Sequence, residues 1–552
     1  MVNPLKLLSR RPRRLLLLML IALILPVLAL QAWLPNHTAQ AAVERTPTPV
    51  DLATTTVANC RYGATPLYQD QISWVSTVGA GWYLHFGPAP WAQQPANASQ
   101  FVPVIRIKQA KDAQGNYLPQ YLVGPANLTG TAARDYIQNL VGNQPGRVWI
   151  VGNEVDRGPD PGQIVSGQGD VFPDIYAQAY HDVYHWIKEA DPTAQVAISA
   201  LVQVTPGRLQ YLDLVWEAYQ DRYGHQIPVD VWNMHLYILP EVNKFGQPNA
   251  VASVALGTDP AIARRESGGN PAQCPLDEVY CYAEHDDMDI FAEQIVAMRT
   301  WMKAHGQQNK PLILSEYSLL FPYEDDGGTC FLADENGTCF TPDRVQAFMV
   351  DSFDYLESAS DPGLGYPLDD YRLVQQWMWF SMYTLGGAGS ASQLLNAIVE
   401  PGSVQYTGLS NLGQQFQVSA AASDTPPNLV IEQVESNVGY TGIGGTASVS
   451  LTVRIRNNGN THVFDPFTVT FYRDAVQTQP IGSVTVDPVI YGCASGVYKA
   501  TVTWDNLAPG AHRFYVWVDS GNGIAETAES DNTGQGMVII DPYQALLPAI
   551  QR

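Results

Sequence analysis

From about residue 58 to about residue 420, short apolar runs alternate with longer stretches whose apolar residues recur at helical spacing. That alternation leaves few architectures open. A buried parallel strand reads as a continuous apolar run, and its parallel neighbour is reached through a covering helix. The strand-like runs are 81–86, 102–107, 148–152, 196–201, 229–237, 312–315 and 374–383. Between them, 173–190 places Tyr176, Ala179, Val183, Trp186 and Ile187 on one helical face and stops at Asp191-Pro192. Thr341-Pro342-Asp343 opens another helix with a cap, a proline at the first helical position and an acid in the first turn. That helix carries Val345, Phe348, Met349 and Leu356; two more run over 289–305 to Gly306 and over 209–223 to Gly224. The fold class expected is α/β, a (β/α)8 TIM-type barrel. Such a barrel needs eight strands, and the eighth is expected, short or degenerate, near Tyr121-Leu122-Val123.

Past a Ser/Ala/Thr/Pro stretch the texture changes. In 447–456 Val449, Leu451, Val453 and Ile455 alternate with Ser450, Thr452, Arg454 and Arg456, and the 467–471 and 514–518 runs repeat the pattern. Turn signals at Asn457-Asn458-Gly459 and Ala508-Pro509-Gly510 separate the runs, and no helical period intrudes. A period of two without helices predicts an antiparallel, immunoglobulin-like β-sandwich of roughly a hundred residues. The chain therefore divides into a leader over 1–41, a linker over 42–57, the barrel over 58–420, a second linker over 421–427, the sandwich over 428–542 and a tail over 543–552.

In the leader, Arg10, Arg11, Arg13 and Arg14 precede an apolar core from Leu15 to Leu30, and Ala39-Gln40-Ala41 offers a cleavage site. A secreted or cell-surface protein is expected, with retention of the segment as an N-terminal membrane anchor as the alternative. Six cysteines suit that compartment. Cys274 with Cys281, and Cys330 with Cys339, lie close together in loop sequence; local pairing is expected, although four cysteines allow three connectivities. Cys60 and Cys493 lie far apart in sequence and are read as free. The net charge of −23, from 53 acidic and 30 basic residues, argues against a nucleic-acid partner. No His/Cys cluster has zinc spacing, and no metal or organic cofactor is expected.

Two apolar runs end on carboxylates: Arg147–Glu154 closes on Asn153-Glu154, and Pro311–Tyr317 carries Glu316. A β/α barrel gathers its chemistry at strand C-termini, and two carboxylates are the minimum equipment for cleaving a glycosidic bond. Strand alternation puts Asn233, His235 and Tyr237 on one face, and Trp377 and Trp379 on one face of the last strand. Arg106 and His85 lie at or near the ends of the first strands. Carboxylates, an amide, an imidazole, a phenol, a guanidinium and an indole suit a sugar, whose pyranose ring has an apolar face for an aromatic side chain. Two long connections, 238–287 and 317–340, leave the same strand ends and are expected to wall the site.

The order Asn153-Glu154, His235-x-Tyr237, Ser315-Glu316-Tyr317 and then Trp379 on successive strands resembles the clan A glycoside hydrolases. The resemblance covers roughly residues 60 to 420 and rests on short motifs in order. It implies a retaining β-glycosidase with Glu154 as general acid/base and Glu316 as nucleophile. Asn153 would bind the hydroxyl beside the anomeric carbon, Tyr237 would bond the nucleophile and His235 would line the same subsite. Trp379, or else Trp377, would floor the site, and Arg106 matches a frequent strand-two arginine more loosely. Val155-Asp156 stands where many members have a proline, and the early strands do not match cleanly.

The sandwich resembles the cell-adhesion-related bacterial domain CARDB, whose end motif stands here as Val518-Asp519-Ser520, Gly523-Ile524-Ala525-Glu526 and Glu529-Ser530-Asp531-Asn532. That resemblance implies attachment, to a cell surface or polysaccharide, or spacing, and not catalysis; the acidic and amide residues of the turn suit either capping strands or holding calcium. Two functions are thus expected to compete: a secreted glycosidase acting on a carbohydrate, and a non-catalytic surface adhesion protein with an inactive barrel.

Overall fold

Helix boundaries follow local chemistry closely. The computed structural model describes residues 58–541 apart from 160–163, 165, 243–245, 248–251, 265–284, 321–340, 387–388, 423–425, 442–444 and 488. Its larger part holds strands β1 (Asn59–Ala64), β2 (Ala80–Tyr83), β3 (two pieces, Gln100–Phe101 and Val104–Ile105, split at Pro103) and β4 (Val148–Val151). β5 (Gln195–Ile198), β6 (Trp232–Leu236), β7 (Leu312–Tyr317) and β8 (Gln376–Trp379) follow. The helices are α1 (Ile72–Thr77), α2 (Gly130–Gly142), α3 (Pro173–Ala190), α4 (Pro206–Tyr223), α5 (Met288–Ala304), α6 (Pro342–Ser358) and α7 (Asn411–Ala422). Thr341 and Asp287 accept backbone N–H bonds at the starts of α6 and α5. Gly224, at φ +75°, ends α4 in the left-handed conformation that a side chain would penalise.

The strands pair in parallel round a ring. β1 pairs with β2 and β8, β2 with β3, β3 with β4 and β4 with β5; β6 pairs with β7 and β7 with β8. An Ala197–Val231 bridge joins β5 to the start of β6 and closes the circle. Trp82, Val104, Val148, Ile150, Ala197, Val231, Ile313 and Met378 fill the inside, while the residues between them in sequence pack outward against the helices.

Three expectations need correction. The strand missing from the sequence is β1, not the segment near 121–123. Tyr117–Val123 is a strand, but it pairs antiparallel with Ile107–Lys111 outside the ring. β1 reads Asn-Cys-Arg-Tyr-Gly-Ala, with no β-branched residue, and it is extended because both neighbours bury it. The run 374–383 supplies only Gln376–Trp379 as strand. Cys60 and Cys493 are not free: they form a disulfide across 433 residues. Cys274, Cys281, Cys330 and Cys339 lie outside the described residues.

The second part is an antiparallel sandwich. One sheet orders Leu429–Ser436, Ala447–Asn457 and Tyr498–Leu507; the other orders Pro480–Val486, Phe467–Tyr472, Gly510–Trp517 and Thr533–Ile540. Leu451, Val453 and Ile455 meet Val469, Phe471, Phe514, Val516 and Val538 between them. The sandwich sits against the strand beginnings of the barrel. Besides the disulfide, Cys60 N donates to Asn460 O at 2.8 Å, Arg61 Nε to Asn460 Oδ1 at 2.7 Å and Asn458 Nδ2 to Leu368 O at 2.7 Å. No described helix is long and apolar enough to cross a membrane.

Candidate functional site

At the other end of the ring, where the strands finish, the carboxylates meet. Beyond β4 the chain turns sharply. Gly152 has φ +99°, and a Cβ there would lie 2.7 Å from Val155 and 2.9 Å from Ser199, so only glycine fits. Glu154 itself has φ +43°, and its turn is pinned by Glu154 N donating to Ala200 O at 3.0 Å and by Gly169 N reaching back to Asn153 O at 3.1 Å. Glu316 arrives by a different device. Ile313 points inward on β7, so strict alternation would aim Ser315 inward and Glu316 out. The pairing with β6 slips between Leu314 and Glu316, and that irregularity sets Glu316 opposite His235.

The two glutamates and His235 are buried, and one ligand-type atom from each lies within 4.8 Å of the others. His235 Nδ1 stands 3.2 Å from Glu154 Oε1 and 3.9 Å from Glu316 Oε2. The Tyr237 hydroxyl donates to Glu316 Oε1 at 2.6 Å. Arg106 donates to Gly167 O at 2.9 Å, and its charge reaches both carboxylates. Asn153 Nδ2 donates to Gln168 Oε1 at 2.9 Å.

Burial pushes Glu316 up to about 7, with the Glu154 charge adding to it and His235, Tyr237 and Arg106 opposing. Burial also pushes Glu154 up, but the hydrogen bond and charge of His235, with Arg157 and Arg208, outweigh it and hold Glu154 low. A general acid at Glu154 would call for a raised carboxyl there, whereas in the free protein burial raises Glu316 and His235 favours the ionised form of Glu154.

Glu154, Glu316, Asn153, His235, Tyr237 and Arg106 are thus brought together, and three expected residues are not. Trp379 is fully buried among Tyr317, Phe348 and Phe353, and its Nε1 donates to Ser392 O at 2.8 Å. Trp377 is equally buried against Tyr62. Inner-facing Met378 lies between them, so both indoles point to the helix layer; the aromatic residue next on the inner alternation is Phe380, 6.4 Å from Phe86. His85 stacks between Trp91 (4.0 Å) and Phe101 (4.8 Å), turned from the site by the same alternation that sends Leu84 inward; burial pushes its pKa down to about 4. Gln168 was missed. It joins Asn153 to Arg106 from a loop whose sequence carries no pattern, and only the fold brings it there.

The family model CARDB matches residues 426–535. That segment is a CARDB domain. Among solved structures, the barrel region is similar to a GH128 (subgroup I) endo-β-1,3-glucanase from Amycolatopsis mediterranei in complex with laminaritriose. Identity is 14%, 66% of this chain and 100% of that one are covered, and the TM-score is 0.35. The CARDB domain is similar to that of a Pyrococcus furiosus protein in complex with di-metal ions, at 18% identity over 21% of this chain and 91% of that one, with a TM-score of 0.18. A Bacteroides uniformis β-glucuronidase matches at 10% identity over 88% of this chain and 46% of that one, with a TM-score of 0.30. The comparison with curated proteins gave no match.

Proposed function

We propose that the protein is a retaining β-glycosidase that hydrolyses a poly- or oligosaccharide outside the cytoplasm. One observation carries this: an oxygen of Glu154 lies within 4.8 Å of one of Glu316 at the strand ends of the barrel. Carboxyl groups about 5–5.5 Å apart suit double displacement, whereas inversion needs roughly 6.5–9.5 Å to admit a water. Glu316, steadied by Tyr237, attacks the anomeric carbon, while Glu154 protonates the departing oxygen and then draws a proton from water. In the free protein burial favours a neutral Glu316 and His235 an ionised Glu154, so the proposed reaction needs substrate to shift that balance towards a protonated Glu154. Positive charge developing at the anomeric carbon favours that tautomer, because it stabilises an ionised Glu316. The leader and the Cys60–Cys493 disulfide support an extracytoplasmic location.

The test compares wild type with Glu316→Ala on aryl β-glycosides, β-glucans and laminari-oligosaccharides, following the anomeric configuration of the first product by NMR. Turnover with retention, lost in the variant, is expected. Inversion would remove the nucleophile role. Equal rates, or no turnover anywhere, would favour the competing adhesion function, which the CARDB domain makes the natural second reading. Glu154, His235 and Glu316 also offer three ligand atoms to a cation. Turnover unchanged by chelator is expected, and loss restored by a divalent ion would redirect the mechanism.

A further inference from the structure

Behind Glu154 lies a group of buried charges that the proposed reaction does not use. Arg208, in the first turn of α4, is fully buried, as are Asp156 and Glu241. Its guanidinium forms an ion pair in direct contact with Asp156, and its Nε donates to Glu241 Oε1 at 2.8 Å. Its remaining donors reach Ala252 O at 2.8 Å and Ser253 O at 2.9 Å. Glu241 is held in turn by Thr205 Oγ1 at 2.7 Å and by Arg264 N at 2.7 Å. Asp156 is two residues from Glu154 in the same tight turn, whereas Glu241, Ala252 and Ser253 belong to the long connection after β6. Backbone contacts reinforce the tie: Leu256 N donates to Asp156 O at 3.0 Å, and Arg157 bridges to Ala255.

A lone buried ion pair is a poor source of stability, since desolvation offsets its attraction. A single cation forked between two carboxylates and two carbonyls on different loops is well suited to holding those loops in register. We propose that Arg208 is a positioning residue for Glu154, clamping its turn to Glu241, Ala252 and Ser253 of the β6–α5 connection so that the aim of the carboxylate depends on that tie. The inference rests on the proposed acid/base role of Glu154. Arg208 also places positive charge near Glu154, which faces His235, Glu316, Arg106, Arg157 and Tyr237 on its other sides. The connection expected to wall the site is thereby linked to the group proposed to protonate the leaving oxygen. Small misplacements of such a group cost rate: a shift of about 1 Å can cost roughly 100-fold.

The test is Arg208→Gln, with Arg208→Lys as the variant that keeps the charge without the fork, assayed on aryl glycosides of the sugar that wild type cleaves. Departure of a poor leaving group needs the acid; departure of an activated phenolate does not. A positioning role predicts that Arg208→Gln lowers kcat/KM for poor leaving groups at least about tenfold, leaves kcat/KM for activated ones within about threefold, and that Arg208→Lys, which keeps the charge but not the fork, recovers only part of the loss. Hydrogen exchange over 154–157 and 252–256 should rise together. Should Arg208→Gln fail to fold, Asp156→Asn, which leaves Arg208 paired one-to-one with Glu241, is judged by the same leaving-group ratio. Equal loss on both substrate classes, or no loss, overturns the role while leaving the hydrolase function standing. A wild type that turns over nothing sinks the function and this role with it.

Discussion

Two carboxylates so close together cannot both ionise cheaply, and Tyr237 and His235 decide how the remaining proton is shared. In the proposed reaction the pair is competent with one proton aboard. Raising pH through about 7, the upper ionisation at Glu316, removes that proton and leaves no acid. Lowering pH through the depressed ionisation at Glu154 protonates both and leaves no nucleophile. A bell-shaped kcat/KM profile is expected, with its alkaline limb near 7 in the free protein. Tyr237→Phe removes a hydrogen bond that favours ionised Glu316, so the alkaline limb should move to higher pH. A bond to a charged group contributes about 1.5–3 kcal/mol, so kcat should fall roughly 10- to 100-fold. A limb that stays put would show that Tyr237 does not tune the pair. Glu154→Gln should lower kcat/KM for poor leaving groups by roughly 10²–10⁴ and for activated ones far less.

Strands and helices carry these residues to their places by unequal means. α3 and α6 are legible in sequence because their apolar spacing and proline starts agree, and α6 adds the Thr341 cap. β1 is not, because its small and polar residues are extended by burial rather than propensity. Gly63 shows how tightly β1 is packed: a Cβ there would lie 2.6 Å from the Trp82 ring and 3.0 Å from Met378. Gly63→Ala should destabilise the barrel by about 1–3 kcal/mol in denaturant unfolding, and an unchanged midpoint would mean that Trp82 yields freely. The aromatic floor was misassigned because the sequence shows that Trp377 and Trp379 share a face without showing which face is inside. At β7 the same alternation would have aimed Glu316 wrongly, had the pairing not slipped.

Across the whole molecule the CARDB domain docks at the strand beginnings, the opposite end from the carboxylates. Arg61, 1% exposed, makes the joint: it pairs with Asp369 at 2.8 Å and donates to Asn460 of the sandwich. Asp369→Asn leaves Arg61 buried without its counter-charge and should cost about 3–5 kcal/mol. Cys60→Ser with Cys493→Ser should cost roughly 2–5 kcal/mol. Calorimetry measures both, and kcat of the folded variants should match wild type because the joint lies far from the site. A fall in kcat with folding intact would show instead that the domain acts on the chemistry.

The sequence alone determined what depends on local order: the alternation that makes a barrel, the period of two that makes a sandwich, the helix ends, and the two carboxylates closing apolar runs. Tertiary structure alone decided what depends on distant neighbours. It made a strand of β1, joined Cys60 to Cys493, turned the indoles outward, and brought Gln168 to Asn153 and Arg208 to the turn that carries Glu154. Local propensity is a sum over a few adjacent residues, whereas facing, pairing and proton sharing are set by atoms that approach only after the chain has closed on itself.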